Sequence, residues 1–434
     1  MANRIHSSYD AIVIGGGPGG STTATLLAKA GKSVLLVEKC KFPRYHIGES
    51  LVPGIVPILA ELDVLPEMER FGFTDKFGIT LIWGNQNERW SVGFDEAAGE
   101  SLGKAFQVVR SEFDYLLLQN ARRKGVTVLE ETTVRDFTFE GDRCTGITLP
   151  DVDGQNLNIS ARFVVDASGQ ANILGRKLHT IEVVEELKNK AVWAYYQNGT
   201  VPEGRDAGND IVENNISEGR LWMIPLHDGT HSIGLVAAQE SFKGHDGGEL
   251  LSKMIAESQH IQGYLKDATR VSDYHSHKDW SYACSKFYGP GYLMVGDAAG
   301  FVDPLFSTGV FLAMNSGSLA AKTILAALAA PQDESSLGAA YESSYRGFLD
   351  VVTSFVLFFY DASKNKEKYF DQAQNLVDPM DIMTARQDFV YLITGLGGLH
   401  TVMGMSPNKA IERLRDDLAE SRAQPLVELT EKAS

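Results

Sequence analysis

The sequence predicts an α/β protein: a Rossmann-type dinucleotide-binding domain with an inserted antiparallel β-sheet and a helical C-terminal region. Two of the three observations behind this lie in strands. An apolar run, Asp10–Gly15, leads into a glycine-rich turn and a helix, and a second, Tyr292–Val295, ends in Gly296-Asp-Ala-Ala far along the chain. The third is the stretch between them. There, short β-rich segments separated by Gly, Asp and Asn replace the earlier alternation of strand and helix.

The opening unit has the order that a dinucleotide fold needs. Gly15–Gly20 follows the first strand, Ser21–Ala30 has the small residues and leucines of a helix, and Gly31 stops it. Ser33–Val37 forms a second buried strand closed by Glu38. Phe106–Arg110 reads as a strand and Glu112–Lys124 as an amphipathic helix with Phe113, Leu116, Leu117 and Ala121 on one face. Val126–Leu129, Val134–Phe139 and Cys144–Leu149 read as strands, and Phe163–Asp166 as a buried strand returning to the first sheet. Ala191–Gln197, Gly219–Pro225 and His231–Val236 carry the antiparallel sheet. Helices follow from Gly309 through Leu319–Ala330, Tyr341–Phe359 and Ile411–Ala423. The expected units are residues 1–190 with 270–330 for the dinucleotide, 191–269 with parts of 70–110 for a substrate, and a helical region over 331–434.

Composition narrows the function. With 44% hydrophobic and 22% charged residues over 434 positions, the chain has the apolar mass for a sizeable core, which argues against disorder. Its 56 acidic and 40 basic residues give a net charge of −16, a surface that repels nucleic-acid phosphates. Cys40, Cys144 and Cys284 neither pair evenly nor share C-x-x-C spacing, so the expected compartment is a reducing cytoplasm. Met1–Tyr9 lacks the apolar stretch of a signal peptide, and Val351–Tyr360 has about half of the ~20 residues that span a bilayer. No membrane span is therefore expected. His275, His277 and Cys284 lack a convincing fourth ligand, so no metal site is expected either. Ser21 and Ser307 have no nucleophile elbow, which leaves hydrolase chemistry without support.

Gly15, Gly17 and Gly20 make G-x-G-x-x-G between strand and helix. The first permits the tight turn, the second lets a pyrophosphate approach the backbone, and the third lets helix and strand pack closely. Glu38, at the end of the next strand, is placed to accept ribose hydroxyls. Asp297, at the rim of the same crevice, favours FAD over NAD, because only FAD has a ribityl chain for it to bind. The same aspartate is also suited to cap the helix after it.

Taken together, G-x-G-x-x-G, Arg110 in Arg-Ser-Glu-Phe-Asp-Tyr-Leu-Leu, Asp166-Ala-Ser-Gly169 and Gly296-Asp297-Ala resemble the FAD-binding fold of aromatic hydroxylases and their relatives. Two segments narrow the resemblance to flavin-dependent halogenases, particularly those acting on phenols and pyrroles. One is Pro43-Arg-Tyr-His-Ile-Gly-Glu-Ser-Leu-Val-Pro53 followed by Phe73-Thr-Asp-Lys76-Phe-Gly-Ile-Thr. The other is Gly296-Asp-Ala-Ala-Gly-Phe-Val-Asp-Pro-Leu-Phe-Ser-Thr-Gly-Val310. The likeness runs over about the first 375 residues.

The resemblance implies FAD, O2 and chloride or bromide, with a separate flavin reductase as electron source because no second glycine fingerprint for NADPH is present. A flavin hydroperoxide would oxidise the halide to hypohalous acid. That oxidant would halogenate an electron-rich aromatic ring, free or tethered to a carrier protein. Lys76 matches the lysine that directs the oxidant, and burial would lower its pKa. Thr308 and Gly309, with Val310, match halide and flavin-ring contacts at a helix start, although such amides equally suit a flavin carbonyl alone. Trp222 and Phe306 mark a substrate pocket.

Two positions depart from the family pattern. Arg220-Leu-Trp222-Met-Ile-Pro225 stands where W-x-W-x-I-P is usual, so Arg220 replaces the first tryptophan. It is a candidate member of a basic patch for an acidic carrier. Phe306 replaces the glutamate of the tryptophan halogenases, which points to an uncharged aromatic pocket rather than free tryptophan. Three rivals share parts of the pattern: an FAD monooxygenase of an aromatic substrate, a flavin reductase of isoprenoid double bonds, and a flavoprotein that only binds. Lys76 counts against the monooxygenase while Arg220 counts for it, Lys76 has no role in the reductase, and the intact glycines, Asp297 and Lys76 oppose the third.

Overall fold

Ala11 to Ile14 are buried on both sides of their strand, and around them the computed structural model builds its first sheet. The structure describes residues 5–398 except 152, 216–218, 362 and 378–382, together with Asp416. Ser8–Ile14 lies parallel to Val34–Val37 on one side and Asn156–Asp166 on the other. Thr127–Leu129 and Tyr292–Met294 extend this parallel sheet at its two ends. Continuous apolar runs such as Val34–Val37 follow from this, because parallel strands are covered on both faces. The helices Pro18–Lys29 and Gly309–Ala329 cross closely where Gly19 meets Gly317. A Cβ on Gly317 would stand 2.6 Å from the Gly19 carbonyl oxygen, and Thr23 Oγ1 donates to both glycine carbonyls.

The second sheet has nine strands. Ile181–Gln197, His231–Ala238, Gly219–Pro225 and Asp210–Asn215 run antiparallel in that spatial order. Gly78–Trp83 then joins parallel to Asp210–Asn215 and carries Glu88–Gly93 at the edge. His275–Cys284 pairs on the other side of Ile181–Gln197 and takes Gly300–Phe301 as its neighbour. The chain thus leaves the first sheet at Met294 and enters the second at Gly300, and Asp297 lies at the crossing.

Several expected boundaries need correction. The limit at residue 190 falls inside Ile181–Gln197, whose first half is only partly buried and lacks a strong apolar alternation. The segment His275–Cys284, assigned to the dinucleotide unit by position, belongs to the second sheet. Arg110 opens the helix Arg110–Arg123 rather than ending a strand, and the strand before it is Ala105–Gln107. The helix expected over Ile411–Ala423 lies outside the described residues.

The helices Glu334–Phe359 and Ala385–Ile393 close over an aromatic cluster in which Phe306 meets Phe355, Phe359 and Phe389 at ring-centroid distances of 5.4, 4.9 and 6.1 Å. Gly309–Ala329 is long and apolar enough to cross a membrane by length and composition alone, yet most of it is buried inside the fold as a core helix.

Candidate functional site

A cavity of about 620 Å3 is lined by residues of both sheets. At its glycine end, Gly15 has φ +107°, and a Cβ there would stand 2.2 Å from the Ala167 carbonyl oxygen. Gly20 is tighter still, with the Gly15 carbonyl 2.0 Å from its absent Cβ. Gly17 differs in kind: it borders the cavity, and the nearest atom to a Cβ is Arg44 Nη2 at 3.6 Å. Two glycines therefore serve the packing and one leaves room for a ligand. Glu38 is buried at the cavity wall, where Oε2 accepts from Gly16 N at 2.7 Å and Oε1 from Cys40 N at 2.8 Å. The bare glycine turn, the helix start and this braced carboxylate fit the pyrophosphate and ribose of a dinucleotide.

Arg110 and Asp297 mark the next stretch of wall. The buried Arg110 guanidinium grips Asp114 with two bonds of 2.8 and 3.0 Å and donates to the carbonyls of Ile47 and Gly48. It thereby pins the segment before Ser50 against the helix Arg110–Arg123. Asp297 lines the cavity from the three-residue turn Gly296–Ala298. Burial pushes its carboxyl up to about 6, with Arg110 as the opposing charge. The residue that caps the following helix by position is Thr308, so Asp297 is left facing the cavity.

Lys76 is 1% exposed, which rules out the ordinary surface lysine. Its Nζ lies 2.7 Å from Asp210 Oδ1 and donates to Ser50 Oγ at 2.7 Å, with the Phe94 ring 5.3 Å away. Burial lowers its pKa, and Asp210 works against that. Ser50 and Asp210 both border the cavity, so the ammonium stands one contact behind the wall.

Ser307, at φ +60°, turns the chain into the helix that starts at Gly309. Ser307, Gly309 and Val310 line the cavity, and a Cβ on Gly309 would meet nothing within 4 Å. Thr308 is buried behind them, its carbonyl taken by Leu312 N. The first amides of this helix lack intrahelical partners and carry its positive dipole end, and they start at the cavity wall.

Trp222 lines the cavity, with Trp193 beside it at a ring-centroid distance of 6.3 Å. Phe306 does not: it points into the aromatic cluster between helices, because Ser307 reverses the chain direction right after it. Its expected place in a substrate pocket is therefore corrected. Arg220 needs a second correction. It is no part of a surface patch but a buried residue whose Nη2 lies 2.8 Å from Asp303 Oδ1, with Nε donating to Tyr360 Oη at 2.9 Å. Tyr360 in turn donates to Asp303 Oδ2. Asp303 and Tyr360, and likewise Tyr45 and Glu49, were assigned no role from the sequence, whereas Trp193, Tyr195 and Tyr196 were read as a strand with one face toward a substrate cavity; Glu49, Tyr45 and Tyr195 form a second polar network at the cavity. The only sequence signal for the first was Arg220 standing where an aromatic residue was expected.

The comparisons with known proteins agree with this geometry. The family profile described as tryptophan halogenase matches residues 10–104 and 95–397. A tryptophan 2-halogenase of Chondromyces crocatus is 37% identical over 380 residues, covering 86% of this chain and 72% of its own. The flavin-dependent halogenase armH3 of Armillaria mellea is 36% identical, covering 81% of this chain and 75% of its own. Among solved structures, the myxobacterial chondrochloren halogenase CndH is 35% identical with a TM-score of 0.78, covering 96% of this chain and 98% of its own. The flavin-dependent brominase Bmp2 is 27% identical with a TM-score of 0.80, covering 96% of this chain and all of its own. Monooxygenase, isoprenoid reductase and mere binding protein fall away with these matches. The chain belongs to the tryptophan halogenase family of flavin-dependent halogenases, FAD-dependent oxidoreductases that use a halide and O2.

Proposed function

We propose that this halogenase chlorinates or brominates an electron-rich phenol or pyrrole, small or carrier-tethered, and receives its reduced FAD from a separate flavin reductase. The observation that carries the reading is Lys76, buried behind the cavity wall and ion-paired to Asp210 of the second sheet. When bound, FAD supplies, with O2, the oxidant that turns halide into hypohalous acid. Gly17, the helix start and Glu38 would hold the dinucleotide, and Asp297 would accept from its ribityl hydroxyls. The amides of Gly309 and Val310 hold the halide without a charged side chain. Lys76 acts on the hypohalous acid through Ser50, the wall residue to which its ammonium donates, and keeps the oxidant from diffusing into water. Trp193 and Trp222 offer aromatic faces to the ring. The three free thiols suit a reducing cytoplasm.

A second reading concerns the ring. The relative named tryptophan 2-halogenase favours an indole. The sequence argument against tryptophan rested on Phe306, and that residue faces away from the cavity. The deciding assay supplies purified protein with FAD, a flavin reductase, NADH and chloride or bromide, and screens phenols, carrier-bound pyrroles and tryptophan by mass spectrometry. A halogen isotope pattern on a phenol or pyrrole supports the first reading, and one on tryptophan alone replaces it with the second.

A further inference from the structure

Glu49 is 3% exposed and lines the cavity from the segment that Arg110 pins. Its Oε1 accepts from Tyr195 Oη at 2.7 Å, while the buried Oε2 makes no hydrogen bond of good geometry. Tyr195 Oη lies 2.9 Å from Tyr45 Oη, which accepts from Trp193 Nε1 at 2.6 Å. The direction of this chain is fixed. The indole N–H only donates and Tyr195 gives its proton to Glu49, so Tyr45 donates to Tyr195. Tyr45 is itself 50% exposed and stacks on His275. A hydrogen-bonded line therefore runs from solvent to a carboxyl at the cavity wall, whose second oxygen faces only the Ser232 hydroxyl.

Resting on the halogenation reading, we propose that Glu49 is the general base that takes the proton leaving the aromatic ring, with Tyr195 and Tyr45 as its path to solvent. Electrophilic substitution by hypohalous acid must dispose of one proton. The ring carbon forms a bond to the halogen as the oxygen–halogen bond breaks, and hydroxide leaves with the electron pair. That hydroxide takes the Ser50 hydroxyl proton and becomes water, and Ser50 is reprotonated by the Lys76 ammonium that donates to it. The ring proton goes to Glu49 Oε2, and the C–H electron pair restores aromaticity. One proton then leaves through the two tyrosines, after their hydroxyls turn, and one returns to Lys76. The sum is arene plus hypohalous acid giving haloarene plus water.

The surroundings suit a base that works near neutrality. Burial pushes Glu49 up to about 7; the hydroxyls of Tyr195 and Ser232 and the Arg110 charge pull it down, and Asp228 pushes it up. A base matched to the working pH is the efficient one. Lys76 donates to Ser50, the next residue in the chain, so donor and base stand at neighbouring points of one wall.

Two measurements test the assignment. Infrared difference spectra of the FAD-loaded protein between about pH 5 and pH 9 should show a protonated carboxyl that titrates near neutrality. It should vanish in Glu49→Gln and shift in Tyr195→Phe; a wild-type spectrum without it overturns the assignment. The second uses FAD, flavin reductase, NADH and bromide, with phenol and ring-deuterated phenol as probes. The ratio of bromophenol to trapped hypobromous acid should fall about 100-fold in Glu49→Gln, with a primary isotope effect absent from wild type and from Glu49→Asp. A loss without an isotope effect overturns the base role. A wild-type enzyme that brominates no phenol overturns the phenol reading instead, and the infrared titration still decides Glu49.

Discussion

Lys76 Nζ and Asp210 Oδ1 stand 2.7 Å apart, both side chains nearly without solvent exposure. Burial lowers the lysine's pKa, and the pairing with Asp210 opposes that shift. It also ties the residue to the second sheet, since Asp210 begins a strand that pairs in parallel with the one following Lys76.

Removing either partner strands the other. Lys76→Ala should keep FAD and oxygen consumption yet lose halogenated product, and it should cost about 3–5 kcal/mol of stability because Asp210 is left buried and unpaired. The double variant Lys76→Met with Asp210→Asn should recover most of that stability without recovering halogenation. Denaturant melts and product mass spectrometry check both halves. Normal halogenation by Lys76→Ala would remove the lysine from the mechanism.

Arg220 makes a family-like reversion costly. Arg220→Trp should destabilise the protein by about 3–5 kcal/mol, since the buried Asp303 loses its guanidinium partner. Arg220→Lys should also lose stability, because a lysine cannot reach Asp303 and Tyr360 with the same planar fork. A melting curve for Arg220→Trp that overlays wild type would contradict this account.

The glycines separate fold from binding. Gly20→Ala should destabilise the cofactor-free protein by about 3 kcal/mol or more, since its Cβ would clash with backbone. Gly17→Ala should leave that stability nearly unchanged and weaken FAD binding about tenfold or more, ~1.4 kcal/mol. Fluorescence titration with FAD beside a thermal melt distinguishes them, and equal effects on both properties would merge the two roles.

Two raised carboxyls set a pH dependence. The fold lifts Glu49 from 4.5 to about 7 and Asp297 from 3.8 to about 6. The folded state therefore holds more protons than the unfolded state between those values, so stability falls as pH rises through the window. The contribution is fully present below the unfolded values and lost above the folded ones. Glu49 alone accounts for ~3 kcal/mol. Thermal melts of cofactor-free protein should show a flatter decline for Glu49→Gln than for wild type, and parallel curves would show that Glu49 is not raised.

Much of the dinucleotide half was legible in the sequence because its constraints are local. Gly15, Gly17, Gly20 and Glu38 act within one strand–turn–helix–strand unit, where backbone sterics and apolar runs dictate residue type. Lys76 and Asp297 were singled out by motif, and the structure adds the burial of both and the Asp210 and Ser50 contacts of Lys76. Phe306 could not be oriented from its neighbours, because the left-handed Ser307 after it decides which way the ring points. The two polar networks were decided only by tertiary structure. Arg220, Asp303 and Tyr360 come from a strand, a loop and a helix end, and Glu49, Tyr195 and Tyr45 join a pinned loop to the second sheet. No periodicity marks such residues, since their pairing is imposed by the cost of burying unpaired polar groups once the two sheets have closed around the cavity.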